Sequence, residues 1–135
     1  MNNSQKQKEL IDLWLKKAAE SLESAKSEFA AGRLAFTVNR LYYSIFYLAT
    51  AALTAKGEKL GKHSAVRAAF HRDFVRTGEV DKSYGRLYDE LFHARHQGDY
   101  APMTEFEESV VKEELRDVER FFALFSARIK KMIGE

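Results

Sequence analysis

Cysteine is absent from this 135-residue chain, and proline occurs once. Without thiols the chain can form neither a disulfide nor a thiolate metal site, and a reducing cytoplasm is the expected setting. Seven glycines and one proline leave few places to interrupt a helix. No apolar run is long enough to cross a bilayer. The greasiest stretch, Leu41 to Leu53, is too short and contains Ser44 and Thr50. The opening residues, MNNSQKQKELIDLW, lack the uninterrupted apolar core of a signal peptide. An excess of one charge is missing too. The 22 basic and 20 acidic side chains leave a net charge of +2, with no long basic run, so bulk charge does not select nucleic acid as a partner. There is no phosphate-loop motif, dinucleotide fingerprint or Gly-x-Ser-x-Gly elbow. The histidines form no His-x-x-x-His pair, although His93 and His96 are three apart. Neither a metal nor a cofactor is expected.

What remains is a composition of 45% hydrophobic and 31% charged residues, suited to one folded domain over residues 1–135. Its periodicity is helical throughout. The first helix is predicted from about Gln5 to Ala31. Ile11, Leu15, Ala18, Leu22, Ala25 and Phe29 lie on one face, Leu10 and Trp14 widen the stripe, and Gly32 stops the helix. The second, from about Leu34 to Lys56, is apolar on all sides: Phe36, Val38, Leu41, Tyr42, Tyr43, Ile45, Phe46, Tyr47, Leu48 and Leu53 surround it. Such a helix needs cover on all sides, so it is expected to be the central helix and to lend part of its surface to a homodimer contact.

A loop is predicted over 57–64. A third helix follows from about Ser64 to Arg76, with Val66, Phe70 and Phe74 inward. The fourth runs from about Lys82 to His96, with Asp81 as its N-cap, Leu87, Tyr88, Leu91 and Phe92 inward and Gly98 as its stop. The fifth opens on a capping-box pattern, Thr104 and Glu107. Its seam is Val111, Leu115, Val118, Phe122, Phe125, Ile129 and Met132. The expected fold is all-α: an up-and-down antiparallel bundle of three long and two shorter helices, five in total.

Candidate site residues are those that fit their surroundings poorly. Asn39 and Arg40 fall within the most apolar helix, where an unpartnered guanidinium is costly. Arg40 therefore either forms an internal salt bridge, extends its tip to solvent, or lines a cleft for phosphate. Arg95 sits at the inward face of the fourth helix near its end. Asp99, four residues on, can pair with it across the terminus, and Tyr100 follows. His63, beside Lys59 and Lys62, is either solvated, a cap, or a general base. Tyr43 and Tyr100 offer rings on which a base could stack.

Three stretches in order, NRLYYSIFYLATAAL, KHSAVRAAFHRDFVRTG and FHARHQGDY, resemble the HEPN family. The resemblance covers nearly the whole chain and is nearest to small stand-alone members related to the C-terminal domain of sacsin. It implies a helical bundle that commonly dimerises. It also implies a nucleotide- or partner-binding module working with a minimal nucleotidyltransferase in a toxin–antitoxin-type pair. A ligand cleft would then be lined by Asn39, Arg40, Tyr43, His63, Arg95, Asp99 and Tyr100. Other members are metal-independent RNases that use Arg-x4-6-His, so an RNase toxin acting on RNA is the alternative, and a purely structural dimer a third. Arg86 and His93 meet that spacing, but about one such pair arises by chance in a chain of this composition. At Arg95 the chain continues to Asp99 and Tyr100 with no histidine at the required distance.

Overall fold

The link between the first two helices already fixes their direction. In the computed structural model, which describes residues 3–100 and 105–135 (only the backbone at 3 and 97–100), α1 spans Asn3–Ala30 and α2 spans Leu34–Ala55. Gly32 takes a φ of 77°, and the Arg33 amide donates back to the Glu28 carbonyl at 2.9 Å, closing the end of α1. The chain then reverses. Ser44 Oγ donates to the Ala18 carbonyl at 3.0 Å, Ser21 Oγ to the Arg40 carbonyl at 2.6 Å and Gln7 Nε2 to the Thr54 carbonyl at 2.6 Å. As one residue number rises the other falls, which is the register of an antiparallel pair.

Three further helices complete the bundle: α3 (His63–Phe70), α4 (Lys82–Tyr100) and α5 (Glu108–Met132). The chain is all-α, as the periodicity predicts. α2 is the central helix, touching each of the other four. Val38, Leu41, Tyr42, Ile45, Leu48 and Leu53 are buried along it, against Ile11, Leu15 and Leu22 of α1 and Val118, Phe121 and Phe125 of α5. Away from its two ends, what stays partly open on α2 is one stripe, Asn39, Arg40, Tyr43 and Tyr47, with Phe36 exposed just before it. Among the described residues no helix is long and apolar enough to cross a membrane.

Several local expectations need correction. α3 begins at His63 itself and gives way after Phe70 to a single π-helical turn, His71–Val75. α4 does not stop at Gly98. Its backbone stays helical to Tyr100, since a lone glycine weakens a helix without ending it. Asp81 is the N-cap of α4, with its carboxylate accepting from the Ser83 amide at 3.0 Å. At α5, Glu107 is the N-cap residue, and it makes no side-chain cap bond. It therefore cannot serve as the third helical residue of a capping box, and Thr104 lies outside the described residues. On α5 Phe121 is more deeply buried than Phe122, and Met132 is exposed, because a 3.6-residue period drifts away from a strict heptad. On α1 Leu10 is exposed.

Glu114 breaks the apolar seam of α5. It is buried, and burial together with the neighbouring Glu90 of α4 lifts its carboxyl to about 8. The folded chain therefore holds a proton that the unfolded chain releases at an ordinary carboxyl pKa. Stability should fall as pH rises from that value towards 8 and level off above it. Glu114→Gln, lacking this titration, should be more stable than the wild type at pH 8 by on the order of 1–3 kcal/mol and converge with it in acid, as read by urea unfolding at each pH.

Candidate functional site

Tyr42 faces the core from the middle of α2 and is wholly buried. A buried phenol needs a partner for its hydroxyl. It has one in His63, whose Nδ1 lies 2.8 Å from the Tyr42 oxygen. His63 was expected in the loop before the third helix, but as the first residue of α3 it enters at a fixed angle. Its imidazole stacks on Phe46, with ring centres 4.1 Å apart and planes 25° apart, and meets Tyr43 edge-on at 5.7 Å. α4 adds Arg95. Its guanidinium carbon sits 4.6 Å from the centre of the Tyr42 ring and 5.8 Å from that of Tyr43, and Nη1 reaches the Tyr43 hydroxyl at 3.4 Å. One core tyrosine thus gathers a cation from α4 and an imidazole from α3, both partly exposed.

The electrostatics follow from the burial. Desolvation pushes the Tyr42 hydroxyl up to about 12, against a smaller opposing pull from Arg95, so it stays protonated across the physiological range. Burial lowers the pKa of His63, and the positive charge of Arg95 lowers it further. Near neutral pH the site thus presents a neutral imidazole beside a permanent cation. α3 is tied to α4 next to it. Arg67 Nη1 donates to Asp89 at 2.7 Å and its guanidinium carbon lies 4.2 Å from the centre of the Phe92 ring, while His71 Nε2 is 2.9 Å from the same carboxylate.

Arg40 and Asn39 occupy an adjoining cleft of about 390 Å³, lined also by Lys17, Ser24, Tyr43 and Tyr47. The half-buried Arg40 meets neutral partners: its Nε donates to Ser24 Oγ at 3.1 Å and its Nη1 to Asn39 Oδ1 at 2.5 Å. Tyr43 belongs to both this cleft and the His63–Arg95 cluster, so the two are neighbours across one ring. Asp99 and Tyr100 lie on the last turn of α4, and their side chains fall outside the described residues. Arg86 and His93 are both exposed on α4. Six residues lie between them along the helix, about 10 Å of rise from one to the other, and neither is brought to Tyr42.

Sequence reasoning singled out Tyr43, His63 and Arg95 but missed Tyr42, Phe46 and Arg67. The available signal was Tyr42 itself: a hydroxyl on the most buried helix, which has to find a polar partner. Removing the cation tests the electrostatic reading. Arg95→Ala should raise the pKa of His63 towards its ordinary value, as followed by NMR of the imidazole C–H. An unchanged or lower pKa would contradict it.

A family profile for the HEPN domain matches residues 11–129. A "UPF0332 protein" of Thermotoga maritima is 45% identical over 121 residues, covering 90% of this chain and 89% of its own length. A protein named "Putative toxin MJ0605" of Methanocaldococcus jannaschii is 32% identical over 131 residues, covering 95% of this chain and 92% of its own length. Another from that organism, "Putative toxin MJ0142", is 32% identical over 90 residues, 67% of this chain and 61% of its own length. With a profile match over most of its length and relatives matched nearly end to end, the chain belongs to the HEPN domain family.

Proposed function

We propose that this HEPN protein is a dimeric module that binds a nucleotide and works with a minimal nucleotidyltransferase in a toxin–antitoxin-type pair. The observation that carries the reading is the cluster at Tyr42: Arg95 and His63, from different helices, converge on one buried ring and remain partly exposed. A guanidinium suits a phosphate, and the partly exposed ring of Tyr43 is available to a base. Arg40, one ring further on, places a second guanidinium in the adjoining cleft, which Lys17 and Glu20 also line. The relatives called toxins agree with a toxin-type pairing. The dimer reading is supported by apolar side chains left at the surface of the first two helices, Leu10, Leu13 and Phe36.

A second reading, a metal-independent RNase toxin, draws on the neutral imidazole of His63 beside Arg95, a pair capable of acid–base work on a phosphodiester. The two readings separate in one set of measurements. Under the first, calorimetry detects AMP binding, and Arg95→Ala weakens it about tenfold or more while Arg86→Ala leaves it unchanged. A nucleotidyltransferase encoded beside the protein co-elutes with it, and RNA stays intact in the presence of a chelator. Cleavage that survives the chelator and is lost in Arg95→Ala or His63→Ala would establish the second. Absence of both AMP binding and co-elution would refute the first.

A further inference from the structure

The contact between Tyr42 and His63 can be made in two ways, and they have opposite chemical consequences. In one, Nδ1–H donates to the tyrosine oxygen. The hydroxyl hydrogen of Tyr42 must then find a different acceptor. Among the described residues it has none, because its one hydrogen-bonding contact is with His63. Water cannot take that place either, since Tyr42 is wholly buried between α2, α3 and α4. An unsatisfied buried hydroxyl costs about 1–3 kcal/mol. In the other arrangement the hydroxyl donates to an unprotonated Nδ1, and no polar group is left over. That penalty exceeds thermal energy severalfold, so it decides between them.

We propose that Tyr42 is a positioning residue that holds His63 as the neutral imidazole bearing its proton on Nε2, so that His63 and Arg95 together donate hydrogen bonds to one phosphoryl group. The ligand half of this statement deepens the nucleotide-binding reading and depends on it; the tautomer does not. Nε2 sits on the edge of the ring away from Tyr42, and His63 is partly exposed. Held in this way, the imidazole has no lone pair to offer a ligand through Nε2. It is a donor rather than a general base. Protonating Nδ1 would reverse the same buried contact, leave the Tyr42 hydroxyl hydrogen without an acceptor and place a second cation beside Arg95, which agrees with the lowered pKa of His63. The π-stacking on Phe46 fixes the ring plane, so the donor direction is set before any ligand arrives.

The tautomer is read directly by nitrogen NMR on histidine-labelled, ligand-free protein at neutral pH, with His63 assigned by the signal lost in His63→Gln. The wild type should show an unprotonated Nδ1 and a protonated Nε2, and Tyr42→Phe should show a mixture. A wild type protonated at Nδ1 overturns the assignment, and this measurement stands even if Tyr42→Phe fails to fold. The donor role is read by AMP titration. His63→Gln places an amide N–H near the position of Nε2 and should bind AMP within about threefold of the wild type, whereas His63→Ala should bind about tenfold more weakly. Equal loss in both overturns the donor role. Failure of the wild type to bind AMP overturns the nucleotide reading and the two-donor cradle with it, while leaving the tautomer result intact.

Discussion

The organising constraint is a single buried hydroxyl. Tyr42 lies at the centre of the most enclosed helix, where water cannot reach it, and among the described residues its one polar partner is His63. That requirement fixes the start of α3 against α2, and with it the path of the glycine-containing connection between them. The same ring accepts the guanidinium of Arg95 on its face, so α4 is referenced to the same point. Three helices are thereby indexed to one side chain. The polar groups they bring are held by rigid elements rather than by loops, which is the condition for a preorganised site.

A second consequence concerns charge. Placing a cation and a histidine on one apolar platform biases the histidine towards neutrality, since an imidazolium there would be both desolvated and repelled. The site therefore keeps one positive charge and one neutral group whose ring plane is fixed by Phe46. Tyr43 connects it to the cleft around Arg40, so the open stripe of α2 carries polar groups and apolar surface side by side. This stripe is also the part of the central helix that the bundle itself leaves partly uncovered.

Much of the fold was legible because periodicity and glycine placement are local signals. The apolar faces of α1 and α3, the central role of α2 and the cap at Asp81 all follow from residues close in sequence. The end of α4 was not legible, because a helix that packs well can carry Gly98 without stopping. The start of α5 was misread because Thr104 and Glu107 imitate a capping box at the level of spacing alone. Within the site, Tyr43, His63 and Arg95 stood out as polar residues in apolar or junction positions. Tyr42 did not, since a tyrosine on an apolar helix looks like core until its hydroxyl is followed to a partner on another helix. Arg86 and His93 show the reverse: a spacing that satisfies a motif, on an exposed face that meets nothing at the cluster.

In the proposed arrangement a buried tyrosine turns a histidine and an arginine into one phosphate-binding unit. A crystal structure of the protein with bound AMP tests this most directly. Phosphoryl oxygens are expected within hydrogen-bonding distance of both His63 Nε2 and the Arg95 guanidinium, with the Tyr42–Nδ1 contact preserved. A phosphate bound elsewhere on the bundle, or an imidazole turned so that Nδ1 leaves Tyr42 to face the ligand, would contradict it.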